Sequence, residues 1–309
     1  HAYAWCSEWT NDALDLIDKV KNLGMDFIEL PMLSLETFDT QAIKTRLGEV
    51  GLEAVTSTVL LKETDISSED PRTRDNGVDY LKACVQATRD IGARNFSGVI
   101  YSEFVKPPDA PRPDGQTWRR VADCLADVAR FAKSLGVRIG LEPVNRYETN
   151  LINTCEQALR LIEMIGEDNV GIHLDTYHMN IEEKSFYKAT KCAGDFLMHY
   201  HFCENDRGIP GTGLVNWDDI FRALAEMNYQ GYAAMESFVG CTDNMSSWVW
   251  RELAPSGDIL LKEGTKFIRG MQRKYGLRKT KSDGIKIIVS NDTASKRQFG
   301  ARLASDFEK

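Results

Sequence analysis

The sequence predicts a closed (β/α)8 barrel, and three observations predict it. A grammar of amphipathic helix, glycine stop and short apolar run recurs along the chain; eight such runs fit within 309 residues; and no G-x-G-x-x-G turn follows the first run. Runs that are apolar almost throughout and alternate with helices imply parallel strands covered on both faces. An open doubly wound sheet is the alternative, but its usual dinucleotide-binding turn is missing.

The strand-like runs fall at about residues 2–5, 26–30, 53–58, 95–100, 138–141, 170–174, 196–200 and 232–235. In and just before "LIDKVKNLGMDFIEL", Leu14, Ile17, Val20 and Leu23 form one apolar stripe on a helix, and Gly24 can take the left-handed turn that ends it. "IKTRLGEVGLEAVTS", "VQATRDIGARNFSGV", "ARFAKSLGVRIGLE", "LRLIEMIGEDNVGIHLD" and "YKATKCAGDFLMHYH" repeat the unit, and "FRALAEMNYQGYAAME" closes it with Gly231. A last amphipathic helix spans roughly 257–274. The barrel therefore occupies 1–276. Residues 277–309 break the grammar, and the net charge of −8 divides into about −12 for the barrel and +4 for this extension. The extension reads as a flexible tail or, through "IKIIVS", as a segment that docks on a neighbouring subunit.

Composition narrows the function classes. With 42% hydrophobic and 27% charged residues the chain can bury a sizeable core, while the acidic balance and a pI near 5.3 oppose a nucleic-acid partner. Seven scattered cysteines without a C-x-x-C pair suggest neither a disulfide framework nor a zinc knuckle, so a reducing, cytoplasmic setting is expected. There is no run of eighteen apolar residues and no signal-peptide pattern, so no membrane partner is expected. The chain opens at "HAYAW" without methionine, and a native start upstream of His1 is compatible with this.

Barrel chemistry sits where strands end, because the loops that follow build one rimmed pocket. Four consecutive runs end in possible metal ligands: "RIGLE" in Glu142, "GIHLD" in Asp175, "LMHYH" in His201 and "AAME" in Glu236. A lone carboxylate after an apolar run is costly, so four convergent cases call for a shared cation. Three carboxylates and an imidazole favour Mn²⁺ or Mg²⁺, with Co²⁺ tolerated. Ion pairs with arginine or main-chain amides are the bland reading of each position taken singly. Trp5 and Trp9 flank the first strand-to-helix loop, where rings could cover the apolar edge of a sugar, although core packing explains Trp5 equally well. His173 and His199 read as barrel-packing residues, and the glycines of "RGIPGTG" let main chain come close to a ligand.

The segments "GLEPVNRYETNLINT", "HLDTYHMNIEE", "HYHFCENDRGIPGTG" and "AAMESF" resemble those of the D-tagatose 3-epimerase and D-psicose (allulose) 3-epimerase family, within the xylose-isomerase-like TIM barrels. The resemblance spans roughly residues 2 to 275. It implies metal binding by Glu142, Asp175, His201 and Glu236, proton transfer by Glu142 and Glu236, and substrate contacts from Glu148, His178 and Arg207. It also implies a free ketose as substrate, epimerised at C3, and a homodimer or homotetramer as the assembly. Ala4 departs from the aromatic residue that several members carry, so the far end of the sugar would be gripped differently. An aldose-ketose isomerase, a hydroxypyruvate isomerase or an inosose dehydratase would use similar ligands. A phosphodiesterase like endonuclease IV would want more histidines than the five here and a less acidic chain.

Overall fold

A computed structural model of the chain describes residues 1–107, 109–239, 249 and 251–277. Cys241 and the expected extension, apart from Leu277, lie outside the described residues. Seven parallel strands form one sheet in sequential order: β1 (Phe27–Pro31), β2 (Glu53–Leu60), β3 (Asn95–Glu103), β4 (Arg138–Leu141), β5 (Val170–Asp175), β6 (Leu197–His201) and β7 (Tyr232–Ala234). Helices separate them: α1 (Asp15–Asn22), α2 (Thr40–Val50), α3 (Pro71–Asp90), α4 (Gly115–Ser134), α5 (Cys155–Ile165), the pair α6 (Thr176–Glu182) and α7 (Phe186–Ala193), α8 (Trp217–Glu226), and α9 (Gly257–Lys274) after β7. The architecture is the predicted α/β barrel. Among the described residues no helix is long and apolar enough to cross a membrane.

The first expected strand is the exception. Residues Ala2–Ala4 form a turn of 3₁₀ helix, in which the Trp5 amide donates to Ala2 O at 2.9 Å and the Tyr3 amide to His1 Nδ1 at 3.1 Å. These amides are consumed locally, and two alanines give little preference for an extended backbone, so no ladder forms. The segment still occupies the eighth position. The terminal ammonium of His1 donates to Met235 O at 2.9 Å, just past β7, and His1 Nε2 lies 3.2 Å from Ser57 Oγ on β2.

Helix boundaries follow local chemistry. Gly24 has φ 78°, the left-handed turn expected after α1. Asp39, Asp70, Asp114 and Thr154 cap α2, α3, α4 and α5, and Thr154 completes a reciprocal capping box with Gln157. Apolar stripes such as Val121, Leu125, Val128 and Ala132 on α4 then bury against the sheet.

Two irregularities shape the sheet beneath the strand ends. The β5–β6 register pairs Ile172 with Leu197 but His173 with His199, so Met198 is an extra residue. Its side chain lies against Gly140 and Gly171, where an added Cβ would stand 3.2 Å and 2.8 Å from the Met198 sulfur. In β3, Gly98 has φ 130°, and a Cβ there would sit 2.1 Å from Thr58 O. The carbonyl of Gly98 accepts from the Glu142 amide at 3.1 Å, which carries the ladder up to a strand-end carboxylate. Gly98→Ala is expected to cost at least about 2 kcal/mol, because strain and a backbone clash coincide; urea denaturation at neutral pH checks this.

Candidate metal centre and active site

Four strand ends converge on one point. Asp175 closes β5, His201 closes β6, Glu142 follows β4, and Glu236 stands two residues beyond β7. One ligand atom from each lies within 4.8 Å of the other three, and all four residues are buried. His201 Nδ1 lies 3.3 Å from Glu236 Oε2, 3.5 Å from Asp175 Oδ2 and 3.7 Å from Glu142 Oε1, yet it has no hydrogen-bond partner.

Asp175 serves two elements at once. Its Oδ1 caps α6 by accepting from the amides of Tyr177 at 2.7 Å and His178 at 3.3 Å. Its Oδ2 accepts from Arg207 Nη1 at 2.5 Å, and the same Nη1 lies 2.7 Å from Glu236 Oε2. Two of the three buried carboxylates thus share one guanidinium and the third has none, an excess of negative charge that a divalent cation would balance. Three carboxylate oxygens and an unpartnered imidazole nitrogen suit such an ion. The residues fit a metal.

The carboxylates are not electrostatically alike. Burial pushes Glu142 well above the usual carboxylate range, with His201 opposing and the charges of Glu236 and Asp175 adding. Burial also acts to raise Asp175 and Glu236, but it is outweighed. Arg207 and then His178 hold Asp175 well below its ordinary value, and His201 and Arg207 hold Glu236 below. In the metal-free chain the two glutamates thus face one space with oppositely shifted acidities.

Arg207 reaches the centre from the loop after β6 with a left-handed backbone, φ 68°. Glu204 builds that loop. Fully buried, it accepts from the Gly211 amide at 2.6 Å, the Val215 amide at 3.2 Å and Trp217 Nε1 at 2.7 Å, while its carbonyl accepts from the Arg207 amide at 2.9 Å. The guanidinium lies over the rings of Tyr177 and Phe238.

His178 is fixed by Asn145. The Asn145 amide donates to His178 Nδ1 at 3.1 Å, so this nitrogen accepts and the ring proton resides on Nε2. Burial lowers the pKa of His178 and favours this neutral form. Nε2 lies 3.1 Å from Arg207 Nη2 and 3.8 Å from Glu148 Oε2. A guanidinium only donates, so with the ring proton on Nε2 these two donors face each other with no acceptor between them, a gap that an oxygen accepting from both would fill. Asn145 Nδ2 also donates to Glu148 Oε1 at 2.8 Å.

These groups line a cavity of about 460 Å³ that includes Glu142, Glu148, His178, Arg207 and Glu236, with Tyr3, Phe104, Tyr177 and Phe238 among its other walls. Trp5 does not line it. Its indole N–H donates to Asp258 Oδ1 at 2.6 Å on α9, and Trp9 is 1% exposed in the core. Trp5, expected over the sugar, is instead turned toward α9 by the 3₁₀ turn, and Tyr3 stands in the cavity wall.

Two residues escaped the sequence reading. Glu29, in the middle of β1, accepts from both His199 Nε2 at 2.8 Å and His201 Nε2 at 2.9 Å. Its signal was a carboxylate inside the apolar run "FIEL", overlooked because only strand ends were searched. Asn145, in "EPVNRYE", carries no signal beyond an ordinary loop residue. His173 packs edge-on against His201 at 4.0 Å with neither nitrogen hydrogen-bonded, consistent with a packing residue. His199 both packs and donates.

Comparison with known proteins agrees with this geometry. A family model described as the xylose isomerase-like TIM barrel matches residues 17–267. The chain belongs to that family. Within it, the chain is 36% identical to a ketose 3-epimerase of Arthrobacter globiformis, over 87% of this chain and 94% of that protein. It is 35% identical to an L-ribulose 3-epimerase of Mesorhizobium japonicum, over 87% and 91%. The crystal structure of a D-allulose 3-epimerase from Methylomonas sp. in complex with D-allulose superposes with a TM-score of 0.83 at 33% identity, covering 88% of this chain and 95% of that one.

The role of Glu204 is open to a direct check. Glu204→Gln turns part of a buried acceptor into a donor facing N–H groups, and should cost about 1–3 kcal/mol. Hydrogen exchange should accelerate at the amides of residues 205–215 and stay unchanged in β5.

Proposed function

We propose that the protein is a metal-dependent ketose 3-epimerase that interconverts free ketoses, such as D-fructose and D-psicose or D-tagatose and D-sorbose. One observation carries the reading: Glu142 and Glu236 face one cavity from strands on either side of Asp175 and His201, and His178 and Arg207 line the same cavity beside them. The family relatives named as ketose and L-ribulose 3-epimerases support it.

The residues divide the work. Glu142, Asp175, His201 and Glu236 would hold the ion, for which Mn²⁺ is our assignment, with Mg²⁺ or Co²⁺ able to substitute. The bound ion would act as a Lewis acid that polarises the C2 carbonyl and so acidifies the C3 proton. His178 Nε2–H and the Arg207 guanidinium hold a neighbouring substrate oxygen, and Glu148 accepts from a hydroxyl. One glutamate removes the C3 proton to give the cis-enediolate, and the other returns a proton to the opposite face.

All these groups precede residue 277, so 1–276 is the catalytic unit and 277–309 an extension to it. The scattered cysteines, none in a C-x-x-C pair, support a cytoplasmic setting. The assembly we assign is a homodimer or homotetramer, with Tyr147 and Leu214, 71% and 79% exposed on loops after strand ends, as apolar contacts.

Two experiments test the function. Chelation should abolish turnover of D-fructose, D-psicose, D-tagatose, D-sorbose and L-ribulose, and Mn²⁺ or Co²⁺ should restore it, with His201→Ala binding Mn²⁺ poorly. Full activity in a metal-free preparation would overturn the reading.

Turnover in D₂O should place deuterium at C3 of the product epimer. Glu142→Gln and Glu236→Gln should each lower epimerisation by at least about 100-fold at matched metal content. Deuterium at C1 in place of C3 would indicate an aldose-ketose isomerase.

A further inference from the structure

An imidazole can give a cation only the nitrogen that does not carry its proton, and the group that accepts the N–H decides which nitrogen that is. His201 must therefore be set by something on its far side. That group is Glu29. Its Oε2 lies 2.9 Å from His201 Nε2, on the opposite edge of the ring from Nδ1, which faces Glu142, Asp175 and Glu236.

The arrangement is over-determined. Glu29 is fully buried on β1, and the contact crosses the barrel interior to β6. The same oxygen accepts from His199 Nε2 at 2.8 Å, so two rings from one strand are tied to one atom. His199 and His201 lie nearly edge-on, with centroids 5.0 Å apart, and His173 closes the other side of His201 at 4.0 Å. The second carboxylate oxygen has no hydrogen-bond partner and lies 3.8 Å from His1 Nε2. A buried carboxylate with two imidazole donors on one oxygen is a fixed acceptor, and neither ring can turn without losing it.

We propose that Glu29 is a positioning residue for the metal centre: it holds His201 with its proton on Nε2 and presents Nδ1 to the cation, with His199 as a second strut. The inference rests on the proposed metal centre. Glu29 reaches the cation site only through the far edge of His201 and does not line the sugar cavity, so its effect falls on metal affinity and leaves sugar affinity alone.

The test uses the full chain, stripped of metal and titrated with Mn²⁺ alone, bound ion being read by electron paramagnetic resonance. Wild type should bind Mn²⁺. Glu29→Leu, which removes the acceptor, should weaken binding about 10–100-fold, the usual effect of losing a partner behind a ligand, while KM for the best ketose at saturating Mn²⁺ stays within about threefold. Glu29→Gln, which keeps an acceptor oxygen, should recover part of the affinity. A folded Glu29→Leu protein with a Kd within about twofold of wild type would overturn the inference and leave the metal reading standing. Failure of wild type to bind Mn²⁺ would overturn both. Should the leucine variant not fold, ¹⁵N-histidine spectra of the Zn²⁺-loaded wild type decide: a proton on His201 Nε2 with Nδ1 ligated supports the assignment, and the reverse placement overturns it.

Discussion

The constraint on which the rest depends is surplus negative charge in a space that excludes water. Glu142, Asp175 and Glu236 meet at the barrel mouth, and Glu29 lies buried behind them. Burying even one carboxylate without compensation costs several kcal/mol. The fold therefore brings its few buried cationic or proton-donating groups to this end: Arg207 between two carboxylates, His201 between all four. A divalent ion completes the balance, and affinity for it comes from relief of repulsion already present in the folded chain.

Holding these groups in place falls to residues with no chemical step of their own. Asp175 joins the end of β5 to the start of α6, so the ligand and His178 are placed by one capped turn. Glu204 gathers three N–H groups and so fixes the loop from which Arg207 projects in a conformation that costs backbone energy. Asn145 chooses which nitrogen of His178 faces the cavity. In each case a hydrogen bond to a buried acceptor turns a flexible loop side chain into a fixed one.

Much of this was legible in the sequence. Seven of eight strands follow from the recurring helix, glycine and apolar run, and the four convergent residues from one rule, that polar groups ending apolar runs collect at one rim. The rule reads strand ends and therefore passed over Glu29, whose mid-strand position has meaning only once β1 and β6 face each other across the barrel. The eighth strand was misread because "AYAW" is apolar enough for a strand, whereas its fate is decided by hydrogen bonds within residues 1–5. Trp5 followed the same error, since a residue's direction at a strand end differs from its direction after a 3₁₀ turn. His199 shows the limit of a binary choice, being at once packed and hydrogen-bonded.

The extra residue in β6 bears on how such a site can diversify. Met198 fills the volume that Gly140 and Gly171 leave empty, so the floor is closed by side chains that are missing as much as by one that is present. A carbon on Gly140 would stand 2.9 Å from Ser97 Cβ, and one on Gly171 2.6 Å from Phe196 O and 2.8 Å from the Met198 sulfur. New specificities cannot be carved upward from the floor. They must be written into the loops above, where Leu33 and Leu61 stand partly in solvent at the cavity rim and can change without disturbing the barrel. In a mutational scan these two glycines would look as intolerant as the ligands, for reasons of volume alone.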